Sequence, residues 1–310
     1  MTIELYIEPG KTYKWNEFKS QKPPYSIALD GFVSAPTHKD PRGPYANFDH
    51  HTGVDRFATR STSDQVHLEI NMDLFDTFKQ GGIPTARIYV NDCDEDTCLA
   101  AWLLMNHDMV IGHASPPINR LVYCEDRLDS TAGAYPFGET EMRQRMAWIF
   151  EPYNQARFEN RLSGMSEAGM KTIMEAVFSR ISAHVINGGE KLPLVGQYEK
   201  IGGGEGWTMV HETGPASRMA MYNDGINAFA AWLGSQNGSG HRYVLGRKSV
   251  WVKYDIPKLY RGLNKLEGDR ITKTNRWNGS NTIGGSPRFT GSRFGPEELE
   301  ERIKWILNRK

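Results

Sequence analysis

The sequence predicts an α/β fold, with a parallel-sheet domain followed by a smaller α+β substrate-binding domain. Three observations predict it. Short apolar runs in the first half of the chain each end in an aspartate, and open parallel sheets gather their functional groups beyond the carboxyl ends of the strands. The stretch ARIYVNDCDEDTCLAAWLLMNH passes from a strand-like run through an acidic turn into an apolar helix, the pattern of a strand–helix unit. After residue 193 the style changes to strand-like runs broken by glycine-rich turns. The 310 residues suit two ordinary domains. The expected division is 1–138 for the α/β domain, 139–192 for a helical connector and 193–310 for the second domain.

Element by element, PYSIALDGF predicts a buried strand over 25–29 that closes on Asp30. The Gly-, Pro- and Asp-rich HKDPRGPYANFDHH is a loop leading through a very short strand to Asp49. DQVHLEINMDLFDTF carries apolar residues at mixed spacing and is expected to be a helix. A strand over 87–90 feeds the acidic turn and a helix bearing Leu99, Trp102, Leu103 and Met105, with Asp96 or Thr97 available to cap its first turn. A further strand over 121–124 is expected to lead into an acidic loop. Residues 139–187 are expected to be helical, with Met170, Ile173, Met174, Val177, Ile181 and Val185 forming a core-facing stripe. In the second domain LVGQYEKIGGGEGWTMVHE, SRMAMY and HRYVLGRKSVWVKYDI read as strands, PKLYRGLNKLEG as a helix, and PEELEERIKWILNRK as a terminal helix with Pro296 in its first turn.

Composition narrows the function. Lys+Arg and Asp+Glu are both 37, so no global basic field exists to hold a long nucleic acid. The opening residues lack the basic and apolar regions of a signal peptide, and no apolar run approaches the roughly 18 residues of a membrane span. The three cysteines, an odd number without CxxC, are expected to be reduced, and the protein cytoplasmic. IGGGEG (201–206) is no phosphate-binding P-loop, since no Lys-Ser/Thr follows it.

The chemistry concentrates in acids and histidines. Asp92, Asp94 and Asp96 alternate just after a strand, and four acids within five residues repel one another unless a cation sits among them. Alone, such a run would be an acid-rich helix start, and Asp49-His50-His51 would be a polar turn. Together, with Asp30 and Asp126/Asp129 at further predicted strand ends, they describe one site assembled from several loops. Carboxylates suit Mg²⁺ or Mn²⁺, and adding imidazole favours Mn²⁺. An EF-hand is excluded, because the run lacks that loop's glycine and closing glutamate.

These motifs resemble those of the DHH phosphoesterase superfamily. Asp49-His50-His51 after a short strand resembles its signature. NDCDEDTCLAAWLL resembles its Asp-x-Asp-x-Asp motif, IALD its strand closing on one aspartate, and VYCEDRLDSTAG the motif whose aspartate completes the metal site, where Asp126 and Asp129 both fit. WNGSNTIGGSPRFTGS (277–292) resembles the glycine-rich substrate loop of the DHH-associated domain (DHHA1). Two departures stand out. The Asp-x-Asp-x-Asp motif follows the DHH triplet here instead of preceding it, and Gly284-Gly285-Ser286-Pro287-Arg288 replaces a Gly-Gly-Gly-His sequence.

The resemblance implies a hydrolase holding two Mn²⁺ ions, with Mg²⁺ as a substitute. The implied ligands are Asp30 as bridge, His50, Asp94, Asp96 and one of Asp126/Asp129, with Asp92 as ligand or orienter. Asp49 would orient a histidine ring, and His51 would ligate or donate to phosphate. Arg288 would pair with phosphate, while Gly284, Gly285, Ser286 and Arg247 would line the substrate. The expected activity is phosphodiester hydrolysis, with nuclease-like trimming as the nearest variant. The expected partner is a small nucleotide or short single-stranded oligonucleotide, and the sequence is compatible with a homodimer. The alternatives are a catalytically silent nucleotide-binding protein on the same scaffold and an inorganic pyrophosphatase.

Overall fold

The computed structural model describes residues 2–309, apart from 113, 160, 163, 215 and 237–239. The protein is mixed α/β, with two multi-stranded sheets. It divides into two compact units. Unit 1 comprises Met1–Thr131, Phe137–Arg157 and Gly164–Pro193; unit 2 comprises Ala132–Pro136, Phe158–Ser163 and Leu194–Lys310. The helices expected as a separate connector therefore fold almost entirely with unit 1.

Unit 1 is built on strands β1 (Thr2–Ile7), β2 (Ser26–Leu29), β3 (His38–Asp40), β4 (Tyr45–Phe48), β5 (Lys79–Gln80) and β6 (Ile83–Val90), in the order β1-β6-β2-β4-β3. The first four strands of that order run parallel; β3 is antiparallel to β4, and β5 to β6. All four residues of both β2 and β4 are buried, as expected of parallel strands covered on both faces. The helices are α1 (Trp15–Gln21), α2 (Thr62–Asn71), α3 (Leu74–Thr77), α4 (Glu95–Met105), α5 (Pro116–Ser130), α6 (Thr140–Ile149), α7 (Glu151–Phe158) and α8 (Glu167–Asn187). Leu99 through Leu104 of α4 are all buried, so this helix is apolar all round and lies central, packed against α2, α5 and α8. Trp102 donates its indole N–H to Ser182 Oγ of α8 at 3.0 Å. Gly188 takes the left-handed conformation (φ 86°) that ends α8.

Unit 2 contains β7 (Tyr198–Gly204), β8 (Trp207–Glu212), α9 (Ser217–Asn223), β9 (Ala228–Gln236), β10 (Gly240–Arg247), α10 (Ile256–Glu267), β11 (Asn278–Gly279), β12 (Ile283–Gly285) and α11 (Pro296–Asn308). Its sheet order is β11-β12-β10-β9-β8-β7, with only the β8–β9 pair parallel. Leu259 and Leu263 of α10 and Ile303 and Ile306 of α11 share a core with Tyr243, Leu245 and Trp277.

The structure corrects five further expectations. HRYVLGRKSVWVKYDI is a strand only as far as Arg247; residues 248–253 are bends and turns. Residues 121–124 belong to α5, not to a strand. Ile118, Leu121, Val122 and Glu125 are buried at helical spacing, and Pro116 and Pro117 open the helix. A four-residue apolar run carries too little periodicity to separate the two conformations. SRMAMY forms α9, with Met221 and Tyr222 packed on Phe229. The helix expected after Asp64 breaks into α2 and α3, with Asp73 left-handed (φ 64°) at the junction. The cap of α4 is Asp94, not Asp96 or Thr97: its side chain accepts from Thr97 N.

Candidate metal centre

The parallel strands end level with one another. Leu29 pairs with Phe48, so Asp30 and Asp49 are the next residues on neighbouring strands, and Ala28 pairs with Tyr89 near the end of β6. Asp30 N donates to Phe48 O at 2.9 Å, which continues the ladder by one bond. Asp30 then turns left-handed (φ 49°), followed by Gly31 (φ 82°). A non-glycine residue in this region costs backbone energy and aims the carboxylate where an extended residue would not.

His50 is fully buried between three carboxylates. Its Nε2 lies 2.8 Å from Asp129 Oδ2, 3.6 Å from Asp30 Oδ1 and 3.7 Å from Asp96 Oδ2. The half-exposed ring of His51 points Nδ1 at Asp30 Oδ1 (3.3 Å) and Asp49 Oδ1 (3.2 Å). Asp49 is itself fully buried, and its Oδ2 accepts the amides of His51 (3.1 Å) and Thr52 (2.9 Å). Thus Asp49 fixes both the backbone and the ring of His51. Thr62 Oγ1 donates to one oxygen of Asp30 (2.9 Å) and Thr97 Oγ1 to the other (3.1 Å). Asp96 accepts the amides of Thr62 (2.6 Å) and Ser63 (2.8 Å), which are free donors in the first turn of α2.

The charges respond to this crowding. Burial alone would raise Asp30, but His51 and His50 hold it well below the ordinary carboxylate range. Burial likewise opposes the charge on His51, yet Asp30 and Asp49 push its pKa up to about 11. Burial, Asp30 and Asp129 together raise Asp96 to about 6. Asp129 is lowered to about 2 despite burial, because Arg56 and His50 face it.

Among the described residues, two groups bring ligand atoms within 4.8 Å of one another: Asp30, His50 and His51; and His50, Asp96 and Asp129. Carboxylate oxygens with imidazole nitrogen form a donor set that fits a divalent metal ion. Three acids gathered in a largely buried space also fit a cation. Asp92, Asp94 and Asp126 enter neither group. The chain turns helical at Glu95, so the alternating acids do not project together as an extended segment would allow. Asp94 is spent on the α4 cap, and burial together with Asp30 and Asp92 raises its pKa well above normal. Asp92 Oδ1 accepts from Cys93 N at 2.8 Å. Of the α5 pair, Asp129 faces His50, whereas Asp126 accepts from Ser61 N at 2.7 Å and ties down the start of α2.

Compared with protein-family models, curated proteins and solved structures, the chain matches none.

Four residues of the centre escaped sequence reading. Thr62 and Thr97 hold Asp30. Glu125 is buried beside the acids, and burial with Glu95 and Asp96 raises it well above normal. Arg56, six residues after His50, places Nη2 at 2.7 Å from Asp129 Oδ2 and 3.2 Å from His50 Nε2. The hydroxyls stand beside helix starts, where capping is the ordinary expectation; Arg56 sits in a turn at no diagnostic spacing.

The predicted substrate-binding residues lie in unit 2, and most have packing duties there. A Cβ on Gly284 would collide with the Tyr260 hydroxyl and stand 2.5 Å from Asn278 O. Gly285 pairs with Val244 of β10. Ser286 Oγ accepts from Tyr243 N at 3.0 Å. Arg247 is buried and donates to Asn281 O (2.7 Å) and Val252 O (3.2 Å), so it staples two loops. Arg288 is exposed, in a turn where Gly291 N donates to Pro287 O. Among the described residues no helix is long and apolar enough to cross a membrane.

Proposed function

We propose that the chain is a Mn²⁺-dependent phosphoesterase of the DHH type that hydrolyses phosphodiester bonds of a short nucleotide. One observation carries this reading: Asp30, His50, His51, Asp96 and Asp129 meet at the carboxyl edge of a parallel sheet. Asp30 Oδ1 faces both histidines, which makes it the candidate bridge between two ions. Divalent ions held there would supply hydroxide near neutral pH and offset charge on the phosphoryl oxygens. The chain's own residues do the positioning. Asp49 orients His51, Thr62 and Thr97 fix the two oxygens of Asp30, and Asp96 anchors α2. Zero formal net charge favours a short substrate over a long duplex.

A non-cleaving nucleotide-binding protein is the second reading, favoured by the Arg56 guanidinium already paired with Asp129. One experiment separates them. The protein is incubated with Mn²⁺ and linear dinucleotides, cyclic dinucleotides, short single strands or pyrophosphate, with His50→Ala and Asp129→Asn in parallel. Wild type is expected to cleave a phosphate ester, and each variant to lose at least about 100-fold. Binding without turnover establishes the second reading. Cleavage of pyrophosphate alone makes the protein a pyrophosphatase, and activity surviving both substitutions removes the metal assignment.

A further inference from the structure

The Arg56 side chain is only 13% exposed and inserts among the acids from the turn before α2. Its Nη2 donates to both Asp129 Oδ2 (2.7 Å) and Asp129 O (3.3 Å), and lies 3.2 Å from His50 Nε2. Its Nε is buried with no hydrogen-bond partner among the described residues. The guanidinium therefore bonds one atom that would ligate an ion, Asp129 Oδ2, and crowds a second, His50 Nε2; these two atoms are 2.8 Å apart. Simple geometry limits the alternatives. An ion ~2.1 Å from both atoms lies at most ~4 Å from Nη2, even on the far side of the pair. Two cations that close repel, unless an anion takes a place against both.

We infer that Arg56 is a built-in competitor for the metal centre and couples metal loading to the arrival of an oxyanion. This rests on the metal-centre reading above. The guanidinium shares Asp129 with the ion, crowds His50 and so weakens ion binding when no substrate is present. A tetrahedral oxyanion contacting the ion and the displaced guanidinium neutralises the repulsion. By linkage, ion and oxyanion then tighten each other's binding. Arg56 is thus a positioning residue for the phosphoryl group, within unit 1 and independent of Arg288.

The test reads Mn²⁺ affinity, not turnover. Free Mn²⁺ is titrated by electron paramagnetic resonance, with sulfate as the oxyanion probe and chloride at equal ionic strength as control. Wild type is expected to bind Mn²⁺ about fivefold or more tightly in sulfate. Arg56→Met is expected to bind about tenfold or more tightly than wild type in chloride, with no sulfate effect. Equal or weaker binding by Arg56→Met, or an undiminished sulfate effect, overturns the inference. His50→Ala serves to separate the two levels of argument. If it weakens Mn²⁺ binding while Arg56→Met changes nothing, the competitor role falls and the metal centre stands. If His50→Ala leaves Mn²⁺ binding unchanged, the metal centre falls and the inference with it. Should Arg56→Met fail to fold, wild type alone decides, since absence of sulfate tightening overturns the coupling.

Discussion

Asp94 and Asp96 stand two residues apart and serve different masters. Asp94 accepts Thr97 N at 2.9 Å and closes the first turn of α4, while Asp96 reaches across to the amides of α2. Alternation in the sequence brought the two acids under one heading, because it assumed an extended backbone. The helix begins one residue after Asp94, and that single fact parts them. A cap needs an oxygen acceptor, not a charge, so the substitutions at 94 are informative. Asp94→Asn is expected to retain stability within about 0.5 kcal/mol, and Asp94→Ala to lose about 1 kcal/mol by urea denaturation. Mn²⁺ binding is expected to survive in Asp94→Asn. Its loss there would return Asp94 to the ligands. The DHH triplet was legible because its residue types are rare together. Arg56 was not, because a lone arginine in a turn is ordinary until its partners are known.

At the scale of elements, the sequence located the three strands around the candidate centre, missed β1, β3, β5 and β9, and misread the helix that carries Asp129. β2, β4 and β6 each announce themselves by β-rich runs that stop at a polar turn. α5 does not, because LVYC is the apolar part of a longer amphipathic stripe that includes Ile118 and the buried Glu125. Asp126 and Asp129 lie about one turn apart on the same face of α5, and their partners differ: Asp126 meets Ser61 and Asp129 meets His50. The hairpin of β11 and β12 teaches the converse. Its glycines look like a ligand loop, yet β11 approaches β12 so closely, beneath Tyr260, that position 284 has no room for a side chain. Gly284→Ala is expected to destabilise the protein by about 1–3 kcal/mol in thermal or urea unfolding. Tyr260→Phe should not rescue it, because Asn278 O still stands 2.5 Å from the added methyl. Full stability of Gly284→Ala would show that the hairpin can open and would restore the case for a substrate loop.

For the molecule as a whole, the α/β class was legible, and the longest segment of unit 2 is Leu194–Lys310. The excursions of 132–136 and 158–163 into unit 2 were not, since nothing in their composition marks them. The charge state of unit 1 has a consequence for metal loading. His51 is raised above its ordinary 6.5 to about 11, so at pH 7 its ring carries a proton that ligation must remove. Mn²⁺ binding is expected to release protons and to tighten from pH 6 to pH 8. Calorimetry in buffers of different ionisation enthalpy measures this, and a buffer-independent heat would remove His51 from the ligands. The sign for stability is opposite: the raised pKa stabilises the metal-stripped fold fully below about 6.5, and that contribution fades as pH climbs toward 11. Asp30 carries the last consequence. Its left-handed backbone would sit more easily as glycine. On the proposed reading, an acid kept there forgoes backbone stability for metal binding. If that reading holds, drift at position 30 toward glycine among descendants of this protein would date the loss of the proposed centre.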